Sequence, residues 1–491
     1  MASKMINKSS QKIFNNSLLY SVGTVFSKAI GFFLIPIYTH NVSDADYGIA
    51  TTITMFVSTF GIVVMLSLRA ALIRFYNEYD ETQKKDFVGT ITAFVITNAL
   101  IICTLLCLLR KIYTPIFFKE LDFYPLVFWG VISLGAEGVY LVYQSLLQAQ
   151  QDGKKYSINS ILYLIVHAIL VLIFVWAFQM GALGIVLSNC ITNILFAICG
   201  VIVMLRTGVM CFSWNRQMLT RSLKYSLPIL PHNLSSNAST YATKLIINNY
   251  IGYVLSGMYS LAAQFSTIIA LVQSSINLAF RPWFIEQMKD GQEGRKQIKY
   301  MSVLIMAIYS FVAVLISSFC KEIVVLMTEA SYVESWKMVP FFVTTQLIAF
   351  IYYSHVQALM YNIKMSKYTM ICSLSGLVVN VIVAVMLVGP FNIYGVLIAN
   401  FASQTIMATL TVMLSRKAEK VDFGLPKMIL YVFLAIILSA SGMFISWTSS
   451  EIRGTEILLK LMLTAISFMV FIFPYRIEVL NLIKGLLQKK I

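Results

Sequence analysis

The chain has 491 residues, of which 58% are hydrophobic and only 12% charged, and its formal net charge is +16. Soluble domains carry about 25% charged residues, so a soluble enzyme or a nucleic-acid-binding domain is excluded: mean hydropathy is +0.79, and the basic excess has no soluble face on which to gather. The seven cysteines form no C-x-x-C pair and no metal-ligand spacing with histidine, so they read as small apolar residues.

Residues 1–11 are polar, and the apolar stretch 15–38 is too long for a signal-peptide core. Apolar stretches of about 20 residues, the length that crosses ~30 Å of hydrocarbon, then recur to the end. The spans predicted are 15–38, 47–68, 87–109, 123–147, 157–178, 181–205, 226–250, 255–280, 300–320, 337–361, 368–389, 392–414, 427–447 and 456–475. The expected fold is therefore an all-α polytopic membrane protein of 14 transmembrane helices.

The chain repeats itself at an offset of 212 residues. Tyr38, Tyr47, Arg69, Ile73, Lys84, Lys155 and Tyr156 recur as Tyr250, Tyr259, Arg281, Ile285, Lys296, Lys367 and Tyr368. The segment 184–189 (GIVLSN) returns one residue out of step as 395–400 (GVLIAN). The repeat covers six spans in each half, an even number, so the halves are parallel copies about an axis along the membrane normal. The expected organisation is an N-terminal six-helix half (1–206), a cytoplasmic interfacial connector (207–225), a C-terminal six-helix half (226–416), and two extra helices with a basic amphipathic tail (417–491).

Basic residues set the orientation. With the N-terminus in the cytoplasm, most of the 37 Lys and Arg residues fall on the cytoplasmic side, and only Arg110, Lys111, Lys119, Lys321, Lys337 and Arg453 fall outside. Both termini are expected to be cytoplasmic. The outer loops are short, and the longest cytoplasmic connectors are expected after spans 2, 6 and 8. In the connector, Phe212, Trp214, Met218 and Leu219 alternate with Arg216, Arg221 and Lys224, which suits a helix lying in the membrane interface. Pro36 in the first helix of one half, and Pro228 and Pro231 in the first helix of the other, free backbone carbonyls and are hinge candidates.

An ionisable group inside a span costs roughly 2.5–3.5 kcal/mol on insertion scales and asks for a reason. Lys28 lies near the middle of span 1 and Lys244 in the outer half of span 7, about one turn from the repeat-equivalent place. Positive charge on two symmetry-related helices suits an anionic ligand. Arg69 and Arg281 are repeat mates at the inner ends of spans 2 and 8, with Arg74 beyond the first; guanidinium groups bind phosphate in bidentate fashion. Glu137 reads as the one carboxylate within a span, a candidate for a coupling proton or sodium ion, a partner for Lys28, or a structural salt bridge. No other cofactor is expected.

Several segments together are similar to one family. They are 15–23 (NNSLLYSVG), 34–38 (LIPIY), 44–48 (DADYG), 74–78 (RFYNE) and 280–284 (FRPWF). Their order and spacing, with the span count, resemble the polysaccharide transporter family, the Wzx-type oligosaccharide flippases, in the wider group of MATE drug exporters and MurJ-type lipid II flippases. The resemblance implies a MATE-like fold in the bacterial cytoplasmic membrane. It implies movement of undecaprenyl-pyrophosphate-linked oligosaccharide units from the inner to the outer leaflet, for O-antigen, capsule or exopolysaccharide. The implied partners are that lipid-linked anionic oligosaccharide, membrane lipids, and a polysaccharide polymerase and chain-length regulator; no covalent chemistry is implied. A lipid II-type flippase remains open beside it. A MATE-like cation-coupled multidrug exporter would want acidic residues where spans 1 and 7 carry lysine, and a polymerase would want a large outer loop.

Overall fold

A computed structural model describes residues 31–362, 364–365, 367–447 and 454–477, and every regular element among them is helical. Two compact units divide the chain, Met1–Ser260 and Leu261–Ile491. The first unit holds α1 (Ile35–Asn41), α2 (Asp44–Met65), α3 (Leu68–Phe75), α4 (Glu81–Leu108), α5 (Arg110–Phe117), α6 (Phe128–Ala149), α7 (Gly153–Val171), α8 (Gly181–Arg206), α9 (Arg216–Ser226) and α10 (Leu230–Tyr250). Helix α11 (Tyr253–Lys289) begins there and continues into the second unit. That unit contains α12 (Gly291–Met327), α13 (Val339–Tyr361), α14 (Tyr368–Phe391), α15 (Ile393–Ala418), α16 (Leu425–Trp447) and α17 (Gly454–Phe471).

Local chemistry explains where these helices begin. Ser43 accepts from the Asp46 amide ahead of α2. Asp80 and Gln83 form a reciprocal capping box at the start of α4, and Asn215 accepts from the Gln217 and Met218 amides at the start of α9. Each satisfies amides that the helix itself leaves unpaired.

Eleven helices of the described residues are long and apolar enough to cross a membrane. Span 1 lies mostly outside the described residues. Helix α10 falls short of the same test because His232, Asn233, Asn237, Lys244, Asn248 and Asn249 dilute its apolar content.

Span 2 is not one rod. Leu66 (φ 46°) and Ser67 (φ 56°) are both left-handed and separate α2 from α3. Such a conformation costs a branched side chain of order 1–3 kcal/mol, and Ser67 Oγ is tied in place by Asn233 Nδ2 at 3.1 Å. The connector does form a helix, α9, but its buried residues Met218 and Leu219 face protein while Phe212 and Trp214 stay exposed. It docks on α3 and the turn after it, Arg221 pairing with Glu78 at 2.5 Å and its guanidinium lying 4.4 Å from the Phe75 ring centroid. Ahead of it the chain crosses α4 at Gly89, where any Cβ would meet the Cys211 carbonyl oxygen at 1.7 Å.

In the second unit, the expected loop Arg281–Lys299 is helical except around Asp290. Its Glu, Gln, Lys and Arg residues are strong helix formers, and α12 simply extends beyond the apolar stretch, 37 residues spanning about 55 Å. Lys321, expected outside the membrane, is instead buried in α12 and paired with Glu456 of α17 at 3.4 Å. Next to it Lys460 of α17 pairs with Glu322 of α12. Glu137 is therefore not the one carboxylate drawn into the helix packing: Glu456 is buried and Glu322 largely so. The last two helices pack on α12, with α16 coming so close that a Cβ on Gly442 would lie 2.7 Å from Ser318 Oγ.

Candidate functional site

Helix α2 organises the site. Thr51, Thr54 and Ser58 follow i, i+3, i+7 spacing and so form one polar stripe on an apolar helix. One end of the stripe meets Lys244, and the other lines a cavity at Glu137.

At the Lys244 end, α2 crosses the start of α11 with no side chains between the backbones. A Cβ on Gly48 would lie 2.1 Å from the Tyr253 carbonyl oxygen, and one on Gly257 would lie 2.0 Å from the Asp44 carbonyl oxygen. Glycine is what allows this approach, which gives Gly48 of the DADYG segment a physical reason. One turn further along each helix, Thr51 and Ser260 share a hydrogen bond of 3.0 Å.

Lys244 reaches into that crossing from α10 and is 2% exposed. Its ammonium donates to Thr51 Oγ1 at 2.7 Å, the Ser256 carbonyl at 3.1 Å and Ser256 Oγ at 3.2 Å, and it also contacts the Ser260 hydroxyl. Asn248 on the next turn donates to Thr52 Oγ1 at 3.0 Å. Among the described residues no carboxylate pairs with Lys244. Among the described residues its partners are neutral dipoles, which satisfy its hydrogen bonds and bring no opposite charge.

Glu137, on α6, opens into a cavity of about 60 Å³, room for about two waters or a small cation. Thr54 and Ser58 of α2, Ser133 of α6, Tyr163 of α7, and Asn189 and Asn193 of α8 supply the polar lining. Tyr163 donates to Asn193 Oδ1 at 2.8 Å and Asn193 Nδ2 donates to Ser133 Oγ at 3.0 Å, which fixes the side chains around the carboxylate. Among the described residues Glu137 makes no hydrogen bond or ion pair. A carboxylate with amide and hydroxyl oxygens around it is the ligand set of a hard cation, or a place to bind a proton. Seven residues of α2, about 10 Å of rise, separate Thr51 at Lys244 from Ser58 at Glu137.

The remaining candidates sit elsewhere. Arg69 donates to Gln148 Oε1 at 3.0 Å, and Arg74 pairs with Glu78 at 2.7 Å, both from the exposed face of α3. Arg281 is exposed on α11. Pro36 lies in the first turn of α1, Pro228 in the short 3-10 turn Leu227–Ile229, and Pro231 in the first turn of α10, so each proline marks a helix junction. Lys28 lies outside the described residues. His355 turns back on its own helix, Nδ1 lying 2.8 Å from the Ile351 carbonyl. Sequence reading missed Thr51, Ser256, Ser260 and the Asn189–Asn193 pair; hydroxyls and amides at i, i+4 spacing in apolar helices were the available signal.

A helical membrane bundle with one caged cation and one carboxylate in a water-sized cavity has the make-up of a transporter. The comparisons with known proteins agree. The family described as "Polysaccharide biosynthesis protein" matches residues 13–288, more than half of the chain, and the chain belongs to that family. The resemblance to the Wzx-type flippases therefore stands. A Haemophilus influenzae protein of the Lsg locus is 21% identical over 308 residues, 62% of this chain and 72% of the relative. Among solved structures, the lipid II flippase MurJ in an inward closed conformation superposes with a TM-score of 0.72 at 14% identity, covering 94% of this chain and 100% of the other. The Vibrio cholerae MATE transporter VcmN gives 0.59 at 14% identity, covering 84% and 97%. At these identities the structures establish the fold: MATE-like, as expected from the sequence.

Proposed function

We propose that this membrane flippase carries undecaprenyl-pyrophosphate-linked oligosaccharide units from the inner to the outer leaflet of the bacterial cytoplasmic membrane by alternating access. The observation that carries the reading is the ammonium of Lys244, buried without a carboxylate. A pyrophosphate brings at least two negative charges, and at about 4 Å one cation is worth up to ~4 kcal/mol at an effective dielectric near 20. In this reading pyrophosphate oxygens take the place of the hydroxyls around Lys244, and Lys28 adds a second charge. Arg69, Arg74 and Arg281 attract the anionic head at the cytoplasmic end. Glu137 exchanges a coupling proton or sodium ion, and the junctions at Pro36, Pro228 and Pro231 bend as the helices move. The reaction makes and breaks no covalent bond. The glycan passes on to a polymerase and its chain-length regulator.

Complementation tests this. A strain lacking its own oligosaccharide flippase should regain surface polysaccharide with the wild-type chain and lose it with Lys244→Ala at equal membrane level. Rescue of a lipid II flippase strain instead, or drug efflux without polysaccharide, would assign the chain to one of the other two transport classes.

A further inference from the structure

The turn between α4 and α6 carries a second charged site, remote from Lys244 and Glu137 in its chemistry. Helix α5 is amphipathic along its length. Tyr113 and Thr114 are buried on the protein, whereas Ile112 and Ile116, one turn apart, are exposed, continuing the exposed apolar edge of Leu105, Leu108 and Leu109. That edge belongs against acyl chains, which sets α5 at the level of the lipid headgroups. The charge distribution assigns this face to the outside.

Beside α5 lies a groove of about 510 Å³ that includes Arg110, Lys111, Thr114, Glu120 and Asp122 in its lining. Ligand sites commonly run from ~300 to 1,000 Å³. Its two cations and two carboxylates do not pair with one another within 4 Å. Arg110 is stacked 5.8 and 5.4 Å from the ring centroids of Phe123 and Tyr124 and donates to the Tyr124 hydroxyl at 3.4 Å, so it is positioned without being neutralised. Lys111, Glu120 and Asp122 make no hydrogen bond or ion pair among the described residues. The neighbouring Lys119 is already used: its ammonium donates to the Asn249 carbonyl at the end of α10 at 3.0 Å, and its own carbonyl accepts from the Tyr253 hydroxyl at 2.9 Å. Those contacts hold the 119–122 turn in place. Thr114 Oγ1, buried in the wall, lacks a hydrogen bond of ordinary geometry, with the Tyr113 hydroxyl its polar neighbour.

We propose that this groove seats a zwitterionic phospholipid headgroup bearing a primary ammonium. Arg110 and Lys111 take the phosphodiester, and Glu120 and Asp122 take the ammonium. An anionic headgroup would satisfy the cations and be repelled by the carboxylates; a cationic one would meet the reverse. A choline headgroup has the right charges and no N–H to donate. Guanidinium beside an ammonium is a fitting pair for a phosphate diester, and the exposed isoleucines lie where the acyl chains of the same lipid would run.

The test uses the full-length protein in nanodiscs of phosphatidylcholine with equal added fractions of phosphatidylethanolamine, its N-monomethyl and N,N-dimethyl forms, or phosphatidylglycerol. Retained lipid is counted by native mass spectrometry after gentle detergent transfer. The expected order is ethanolamine, then monomethyl, then dimethyl, with phosphatidylglycerol below all three. Glu120→Gln with Asp122→Asn should erase the ethanolamine preference, about three- to tenfold, and Arg110→Gln with Lys111→Gln should abolish retention of every headgroup. Lys111→Gln and Asp122→Asn alone, both surface changes, serve if a double variant fails to fold and should each give a partial loss. An ethanolamine preference that survives all four variants would overturn the proposal. So would phosphatidylglycerol binding best, with the acid variants improving it.

Discussion

Among the described residues, the partners of the buried Lys244 ammonium are hydroxyls and a carbonyl. The cage of Thr51, Ser256 and Ser260 satisfies the ammonium's protons, so Lys244→Ala removes the charge and leaves those groups to one another. Export should fall at least tenfold in a complementation assay while membrane level and thermal stability change little. Lys244→Arg should retain part of the activity, because charge matters more than shape for a phosphate contact. Equal export by Ala and wild type would make Lys244 a structural residue. Glu137→Gln preserves shape and removes the exchangeable proton or ion. Transport should then lose its dependence on pH or sodium while substrate binding persists, measured as lipid-linked glycan retained on the purified protein. Both residues were legible in the sequence because a charge within an apolar run stands out. Their surroundings were not: serine, threonine and asparagine are common in membrane helices, and which of them face a given charge depends on helix rotation and on packing between distant segments. Lys321 shows the opposite failure, since charge near a span end is read as topology until its partner on another helix is seen.

At the scale of helices, the long apolar elements were legible and the breaks between them were not. Span 2 parts at Leu66 and Ser67, neither of which is a glycine or proline. The 110–122 stretch holds the short helix α5 where a loop was expected, because about two turns of amphipathic pattern are too short to register as a helix. The pinning of the last two helices was also invisible. Glu322–Lys460 and Lys321–Glu456 join α12 to α17 with buried side chains of opposite order on the two helices. Removing one partner leaves an uncompensated buried charge, at a cost of about 3–5 kcal/mol. Lys460→Ala should therefore lower the unfolding midpoint clearly, and Lys460→Ala with Glu322→Ala should recover much of the loss. Additive losses in that double-mutant cycle would mean that the two side chains do not interact. The glycine crossing gives a second expectation. Gly48→Ala sets a methyl group 2.1 Å from the Tyr253 carbonyl oxygen, so α2 and the start of α11 must separate. Crosslinking between cysteines at Thr51 and Ser260, whose hydroxyls lie 3.0 Å apart across the same crossing, should fall, and unchanged crosslinking would contradict the contact.

For the whole molecule, the internal repeat was the strongest statement the sequence made, and it remains an expectation beside the family membership and the fold. The proposed substrate poses one physical problem: a charged, hydroxyl-rich head cannot cross hydrocarbon, while its polyprenyl tail cannot leave it. In the proposed function, the cationic and hydroxyl groups inside the helices would answer that problem by solvating the head in transit. Lys28 and Lys244 together carry the anionic preference in this account. The most direct measurement reconstitutes the purified protein in proteoliposomes loaded with an undecaprenyl-pyrophosphate-linked oligosaccharide and follows access of an external, membrane-impermeant glycosidase. Wild-type protein should bring the protected inner pool within reach of the enzyme. Lys28→Ala with Lys244→Ala should leave about half of the glycan protected, as in protein-free vesicles with equal leaflets. A protected pool that never shrinks with wild-type protein, or that shrinks equally with the double variant, would contradict the account.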